Sequence, residues 1–446
     1  MRYIKLSIFT LTLLLSCFAN AQQQQKDSIY HLSIKQSIAY ALDHQGNMVN
    51  AKYEVQKAGD KVKEIIGIGL PQISGTGNFQ DFLQLPTTII PANSFPGLPA
   101  EKVHFGTQFN TVGELDASQI LFQGSYIVGL EASKTYKELS QKSLTQTSIQ
   151  TVSLVTKAYY TVLVNYWKVQ MFNADVARLK TLMNETEAMY KSGFAEKLDW
   201  ERIKVNYNNV KTQEEDINRF VNLSYKLLKF QMGMPLEDSL SLTDSLRSIP
   251  LNPNVENDSA FKPENRIEYS LAQTQLRASE LTLVNDHYAN LPSLALYGSF
   301  IESAYNSNFK VLTAWYPSSL IGLKLNVPIF SGLQRMYRSQ EDKIGVQESE
   351  VQLKSVKEGI WLDLSNSSTA LKNALADLQN QSENMDLAQN VEHDTKVKYE
   401  AGTGSNLEVV DAETALTESE TAYYNALFNA LVAKVDYEQA QGILYK

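Results

Sequence analysis

The chain has 446 residues, a formal net charge of −9 and a single cysteine. The acidic balance argues against nucleic acid, which requires a basic footprint. One cysteine excludes an internal disulfide and a multi-thiolate metal site.

The N-terminus reads as a secretory signal over residues 1–21. Arg2 and Lys5 make a basic start, Leu6 to Phe18 is a short apolar run, and Ala19-Asn20-Ala21 supplies the small residues of a cleavage site. The alternative is a lipoprotein processing site at Leu14-Leu15-Ser16-Cys17, with Cys17 acylated. Either reading exports the protein. Without Arg2 and Lys5, 38 basic residues face 49 acidic ones, a net charge near −11. Beyond the signal no apolar run approaches the ~18 residues of a transmembrane helix. A membrane-spanning form would therefore have to cross as strands.

Residues 22–31 form a polar, Gln-rich leader. From about Leu32 to Leu70 apolar residues recur at three- and four-residue steps, the period of a helix, which halts at Leu70-Pro71 because proline disfavours the helical conformation before it. The period then becomes two: Ile73, Gly75, Gly77 and Phe79 alternate with Ser74, Thr76, Asn78 and Gln80, a strand with one apolar face. A loop of roughly 25 residues carries Pro86, Pro91, Pro96 and Pro99. A second strand, about Gln108 to Phe122, ends at Phe122-Gln123-Gly124. No proline follows until Pro235, and the stretch from Gly129 to Gly193 lacks glycine between its ends. Some 65 helical residues at 1.5 Å each span ~100 Å, which implies a coiled coil or a helical array. After Gly193, Trp200, Ile203, Tyr207, Val210, Ile217, Val221 and Leu228 step by three and four, a heptad seam.

Residues 235–263 are a Ser/Asp/Pro-rich connector, and the sequence then restarts. A helix over about Glu264–Leu291 stops at Leu291-Pro292. A strand carries Leu294, Leu296 and Phe300 on one face, a short loop from Tyr305 to Ser318 holds Trp315 and Tyr316, and a last strand alternates Ile321, Leu323, Leu325, Val327 and Ile329 with polar or small residues. It closes at Phe330-Ser331-Gly332. Leu364, Leu371, Leu378 and Met385 then mark another heptad stripe. The two halves, 32–234 and 264–446, share a constant offset of 209: Tyr190 and Tyr399, Gly193 and Gly402, Leu198 and Leu407, Gly233 and Gly442 all correspond. Each half reads helix, strand, strand, very long helix, turn, helix.

Four strands with one apolar face cannot close, and an open edge in lipid leaves backbone groups unpaired at several kcal/mol each. Closure takes at least ~8 strands, so copies of the chain would have to supply the rest. The other reading of the same alternation is a soluble two-hairpin sheet capping a coiled coil.

The ordered set of duplicated helix-strand-strand-helix units, Leu-Pro strand starts, Phe-x-Gly strand ends and Tyr-x-x-Gly turns resembles the TolC family of outer-membrane efflux channels, over about 32–442. The resemblance implies an α + β membrane protein: a homotrimer whose long antiparallel α-helical barrel crosses the periplasm and whose four strands per chain complete a 12-stranded transmembrane β-barrel in outer-membrane lipid. It implies a passive exit duct for small molecules, metal ions or proteins. Its partners would be a periplasmic adaptor (membrane fusion) protein and an inner-membrane transporter of RND or ABC type, with no cofactor and no nucleic acid. The turns Gly193, Phe194, Ala195 and Gly402, Thr403, Gly404 would be the periplasmic tips that meet the adaptor. Tyr399 and Asp199 would form a hydrogen-bonded gate latch. The family's usual basic residue two positions after the second turn glycine is replaced here by Gly404, which puts the salt-bridged half of that latch in doubt.

Glu408 and Asp411, three apart, share a helical face; under threefold symmetry they would stack as two carboxylate rings that favour cations. The plain reading is an acidic first turn, welcome at a helix N-terminus. The histidines His31, His44, His104, His287 and His393 lack metal-ligand spacing. Gly402-Thr403-Gly404-Ser405 lacks the lysine of a phosphate loop and follows a helix, not a strand. The residues therefore point to no enzyme. The contrasting functional class is a periplasmic coiled-coil adaptor or spacer without channel activity.

Overall fold

The computed structural model describes residues 29–91, 101–246, 249, 251, 261–309 and 314–445. The expected signal segment, its Cys17 alternative and all but the end of the leader lie outside the described residues, as do Pro96, Pro99, Pro250 and Pro253. In chain order the elements are β1 (Tyr30–Leu32), α1 (Ile34–His44), α2 (Gly46–Ile68), β2 (Gln72–Asp81), β3 (Thr87–Ile90), β4 (Glu101–His104), β5 (Phe109–Phe122), α3 (Gly124–Lys191) and α4 (Lys197–Met232). There follow β6 (Leu240–Leu242), α5 (Ile267–Tyr288), β7 (Ser293–Asn306), β8 (Trp315–Asn326), α6 (Gln334–Glu400) and α7 (Asn406–Ala440). Two compact units result, each drawing on both halves of the sequence. One takes the chain up to Val49, Thr147–Phe261 and Leu362–Lys446; the other takes Asn50–Gln146 and Lys262–Trp361.

In the second unit the four long strands form one antiparallel sheet in the order β2-β5-β7-β8. Directly opposed residues in such a pair share a face, so the register settles what each face carries. Ile73 opposes Ala117, which opposes Gly298, which opposes Ile321; the next step runs Gly75, Leu115, Phe300, Ser319. Leu296 with Leu323 and Leu294 with Leu325 extend this face. It is apolar and bare: Ile73 is 77% exposed and Ile321 79%. The other face carries Ser74, Asp116 and Ser299, then Thr76, Glu114 and Ile301, with Ser299 donating to Glu114 Oε1 at 3.0 Å. Two carboxylates lie on the apolar side: Asp81, opposite Phe109, and Glu302, opposite Gly113 and Pro317.

The helices entering the sheet end alike. Gly69 and Leu70 donate to Ile66 and Gly67 carbonyls, and Asn290 and Leu291 to His287 and Tyr288 carbonyls, tightening each last turn before the proline. The two Phe-x-Gly strand ends differ. A Cβ on Gly124 would lie 2.7 Å from the Tyr288 carbonyl oxygen, whereas Gly332 holds a φ of +61°. One glycine permits close approach; the other permits a left-handed turn.

Several boundaries depart from the sequence reading. β8 begins at Trp315, so the loop between β7 and β8 is shorter and Trp315 and Tyr316 are strand residues on opposite faces. The proline-bearing loop contains a small hairpin, β3 with β4. The leader does not end freely: β1 pairs in parallel with β6 of the connector, Tyr30 to Leu240 through Leu32 to Leu242. The first helical stretch is two helices, interrupted at Gln45, whose φ and ψ are extended.

In the first unit Val155, Tyr159 and Val162 of α3, Leu228 and Met232 of α4, and Leu431 and Val435 of α7 form a buried core. Leu32, Leu240 and Leu242 pack against it, so the short β1-β6 pair is held by apolar contact as well as by its backbone bonds.

Candidate functional site: the paired helix turns

The α3-α4 and α6-α7 connections lie 209 residues apart and close in the same way. Gly193 donates to the Tyr190 carbonyl at 3.0 Å and Phe194 to that of Met189 at 2.8 Å; Gly402 donates to Tyr399 at 2.9 Å and Thr403 to Lys398 at 2.9 Å. Each is the doubly bonded glycine C-cap in which one residue must be left-handed, and the φ values are +82° at Gly193 and +72° at Gly402. The pattern recurs at the far ends of α4 and α7, where Gly233 and Gly442 both take φ of +73° and the residues after them bond to Lys229 and Glu438. Four glycines at two matched offsets thus do one job.

The helices leaving the turns are also capped in register. Glu408 donates its N–H to Ser405 Oγ and accepts from the Ser405 N–H at its Oε2, both at 3.2 Å, a capping box. At the equivalent place in the first half, Asp199 Oδ2 accepts from the Glu196 N–H at 3.4 Å. Asp199 and Glu408 are counterparts at the offset of 209, a relation legible in the sequence though the two carry different expected roles there. Asp411, one turn on, is exposed, as is Glu408.

The paired tyrosines diverge. Tyr190 stacks on Trp200 with centroids 6.5 Å apart, and Lys204 Nζ lies 4.6 Å from the Trp200 ring. Tyr399 packs instead beside Leu182 of α3, Ile203 of α4 and Val409 of α7. The structure therefore seats Tyr399 on an apolar cluster to which α4 contributes Ile203, one turn beyond Asp199, while the Asp199 carboxylate caps its own helix. Phe194 projects from the first turn with 83% of its surface exposed; Thr403 occupies the same place in the second, its hydroxyl donating to the Lys398 carbonyl at 3.2 Å.

Gly404 has a steric reason for being glycine. Its N–H donates to the Lys398 carbonyl at 3.0 Å, and a Cβ there would sit 2.9 Å from the Tyr399 nitrogen and 3.1 Å from Lys398 Cβ. This turn folds back so tightly on the end of α6 that a basic side chain has no room.

Residues 270–442 match the family model described as outer membrane efflux protein. Outer membrane protein TolC of Vibrio cholerae is 19% identical over 335 residues, 74% of this chain and 76% of that protein. Outer membrane protein TolC of Salmonella enteritidis is 22% identical over 351 residues, covering 75% of this chain and 69% of its own. Among solved structures, the Campylobacter jejuni CmeC outer membrane channel superposes with a TM-score of 0.72 at 15% identity, over 96% of this chain and 91% of that one.

Proposed function

We propose that this chain, a member of the TolC-type outer-membrane efflux channel family, is the passive exit duct of a tripartite export system, assembled as a homotrimer in the outer membrane. The observation that carries the reading is the sheet. It presents one predominantly apolar face, largely bare in the single chain, and two edge strands, β2 and β8, with an unpaired side each. In lipid such edges must be paired; three copies joined β8 to β2 give a closed barrel of twelve strands, with Glu114, Asp116 and Lys324 toward water. A coiled-coil adaptor or spacer has no use for such a face.

In that assembly the long helices line the periplasmic tunnel, and the turns at Gly193-Phe194-Ala195 and Gly402-Thr403-Gly404 form the tip that meets a periplasmic adaptor and, beyond it, an inner-membrane transporter of RND or ABC type. In the assembled trimer Tyr399 and Asp199 latch neighbouring helices there, Asp199 leaving the cap it makes on its own helix in the single chain, and Glu408 and Asp411 ring the constriction. The cargo, small molecules, metal ions or protein, is selected upstream by the transporter, and the duct performs no catalysis. The test is direct. Full-length protein extracted from membranes in detergent should run as a heat-dissociated trimer on denaturing gels and give stepwise conductance in planar bilayers. A soluble, heat-indifferent monomer without conductance would overturn the reading.

A further inference from the structure

Three helices of the first unit, α3, α6 and α7, share a buried cluster in which carboxyl groups outnumber cations. Asp175 of α3 and Glu413 of α7 are each 1% exposed. Arg178 joins them, its Nη2 donating to Asp175 Oδ1 at 2.7 Å and its Nε to Glu413 Oε2 at 2.8 Å. Thr417 Oγ1 donates to Asp175 Oδ2 at 3.2 Å. Two further carboxyls close the group: Glu420 of α7 lies against Asp175, and Glu392 of α6 against Glu413, with Gln389 of α6 hydrogen-bonded to Glu420. From α4, Tyr207, Val210 and Ile217 cover the same stretch of α3, so the Tyr207 phenol is the titratable group on that side. Of the other cations of α3 nearby, Lys180 is exposed, and Lys168, about two turns from Asp175, donates to Asn425 Oδ1.

Four carboxyls therefore meet one guanidinium. Fully ionised, they would leave a net charge of about −3 in a site where Asp175 and Glu413 are shut off from water and the others half-buried, a state that burial penalises. The geometry shows how this is avoided. Glu420 Oε2 is buried with no donor reaching it, while its neighbour is another carboxyl. Two acceptor oxygens in contact repel unless a proton lies between them, in which case they form a hydrogen bond. The contact between Glu392 and Glu413 has the same form.

We propose that Asp175, Glu392, Glu413 and Glu420, organised around Arg178, form a proton-binding site that fastens α6 and α7 to α3 and slackens when the protons leave. Burial, the largest cause, raises both Glu413 and Glu420 to about 7; the adjacent carboxyl adds to each rise and Arg178 opposes it. For an acid whose folded value is raised above the usual ~4.3, the stabilisation is complete below the unfolded value and is lost as pH rises through the folded one. The site's contribution is therefore complete below about pH 4.3, falls as pH rises from there to about 7, and is gone above neutrality. Glu392 and Glu413 lie about three helical turns from Gly402 on either side, so the segments released are the arms of the second turn. The proton site stands apart from the exit-duct reading; only its consequence for a channel tip rests on it.

Infrared difference spectroscopy of the full chain in detergent, titrated across neutrality, tests the proposal. The protonated-carboxyl band should fall roughly tenfold over the two pH units centred near 7, and the thermal unfolding midpoint should fall as pH rises from about 4.3 to about 7 and level off above it. The Glu413→Gln/Glu420→Gln double variant, which mimics the protonated state at both positions, should lose most of that band and most of the fall in midpoint seen in the wild type. The Glu420→Gln single variant, a milder change, should lose part of the band. A wild-type chain without a protonated-carboxyl band in mild acid, or a variant that keeps it unchanged, overturns the proposal. The wild-type spectrum decides the matter even where a variant does not fold.

Discussion

Tyr159 donates its hydroxyl proton to Asp244 Oδ2 at 2.9 Å, and the same oxygen accepts the backbone N–H of Ile34 at 2.7 Å. One carboxylate oxygen of the connector thus ties the middle of α3 to the start of α1. Tyr159 is fully buried, and burial together with its bond to Asp244 raises the phenol well above its ordinary range, so it remains a neutral donor at any physiological pH. Replacing Asp244 with Ala strands the helix-initiating N–H of Ile34, at about 1–3 kcal/mol, and leaves the buried Tyr159 hydroxyl only its 3.2 Å bond to the Leu32 carbonyl. Tyr159→Phe leaves the Ile34 bond in place and should cost about 1 kcal/mol. Denaturant unfolding of the two single variants and the double should give a positive coupling energy; strictly additive losses would show that the bond carries no stability of its own.

The tight second turn leads to a prediction against intuition. Restoring a basic residue by Gly404→Arg should weaken the tip instead of strengthening a latch, because the new Cβ meets the Tyr399 nitrogen and the Lys398 backbone. Overpacking of this kind costs about 1–3 kcal/mol. Amide hydrogen exchange at Thr403 and at residue 404 should quicken about tenfold for each 1.4 kcal/mol lost. Gly402→Asn, at a φ that asparagine tolerates, should have the smaller effect. Slower exchange in the Gly404→Arg variant would mean the arginine finds a partner and the steric argument fails.

What was legible in the sequence follows from what each feature depends on. The strand faces were readable because alternation is local: Ile73, Leu115, Phe300 and Leu323 declare their side without knowledge of their partners. The turns were readable because Gly193 and Gly402 answer a local backbone demand twice. The sequence reading ran the loop to Ser318, yet β8 begins at Trp315 and takes in Pro317; proline is tolerated on an edge strand, and β8 is an edge strand of this sheet. The pairing of β1 with β6 joins residues more than 200 positions apart, and three-residue strands give no periodicity to detect. The break at Gln45 was hidden for a similar reason: it lies where Gly233 comes so close that a Cβ would be 2.5 Å from the His44 carbonyl oxygen. The carboxyl cluster was the least accessible. Glu413 and Glu420 look like any acids on an acidic helix until packing buries them.

If the apolar sheet face meets lipid, the same substitution should have opposite consequences three residues apart. Leu323 opposes Leu296 on the apolar side, while Leu320 opposes Ser299 on the polar side. A lysine facing lipid costs about 2–4 kcal/mol at mid-membrane and little on the water side. Leu323→Lys should therefore lower the temperature at which the trimer dissociates on gels and reduce its yield in membranes, whereas Leu320→Lys should leave both near wild type. Equal tolerance of the two would argue that this face does not contact lipid.

The carboxylates at the second turn allow a selectivity test with little structural cost. Glu408 is exposed and closes a capping box with Ser405; a glutamine amide oxygen still accepts from the Ser405 N–H. Asp411 is exposed on the same helical face. Glu408→Gln/Asp411→Asn should thus fold and assemble normally, with a stability change of about 1 kcal/mol or less from the lost charge at the helix N-terminus. Across a salt gradient in planar bilayers, its reversal potential should shift toward zero and its block by multivalent cations should weaken, because a ring of carboxylates no longer concentrates cations at the constriction. Glu418, also an exposed acid of α7 but two turns beyond Asp411, serves as the control: Glu418→Gln should leave the potential unchanged. Should both variants behave alike, the charges nearest the turn do not line the narrow part of the pore.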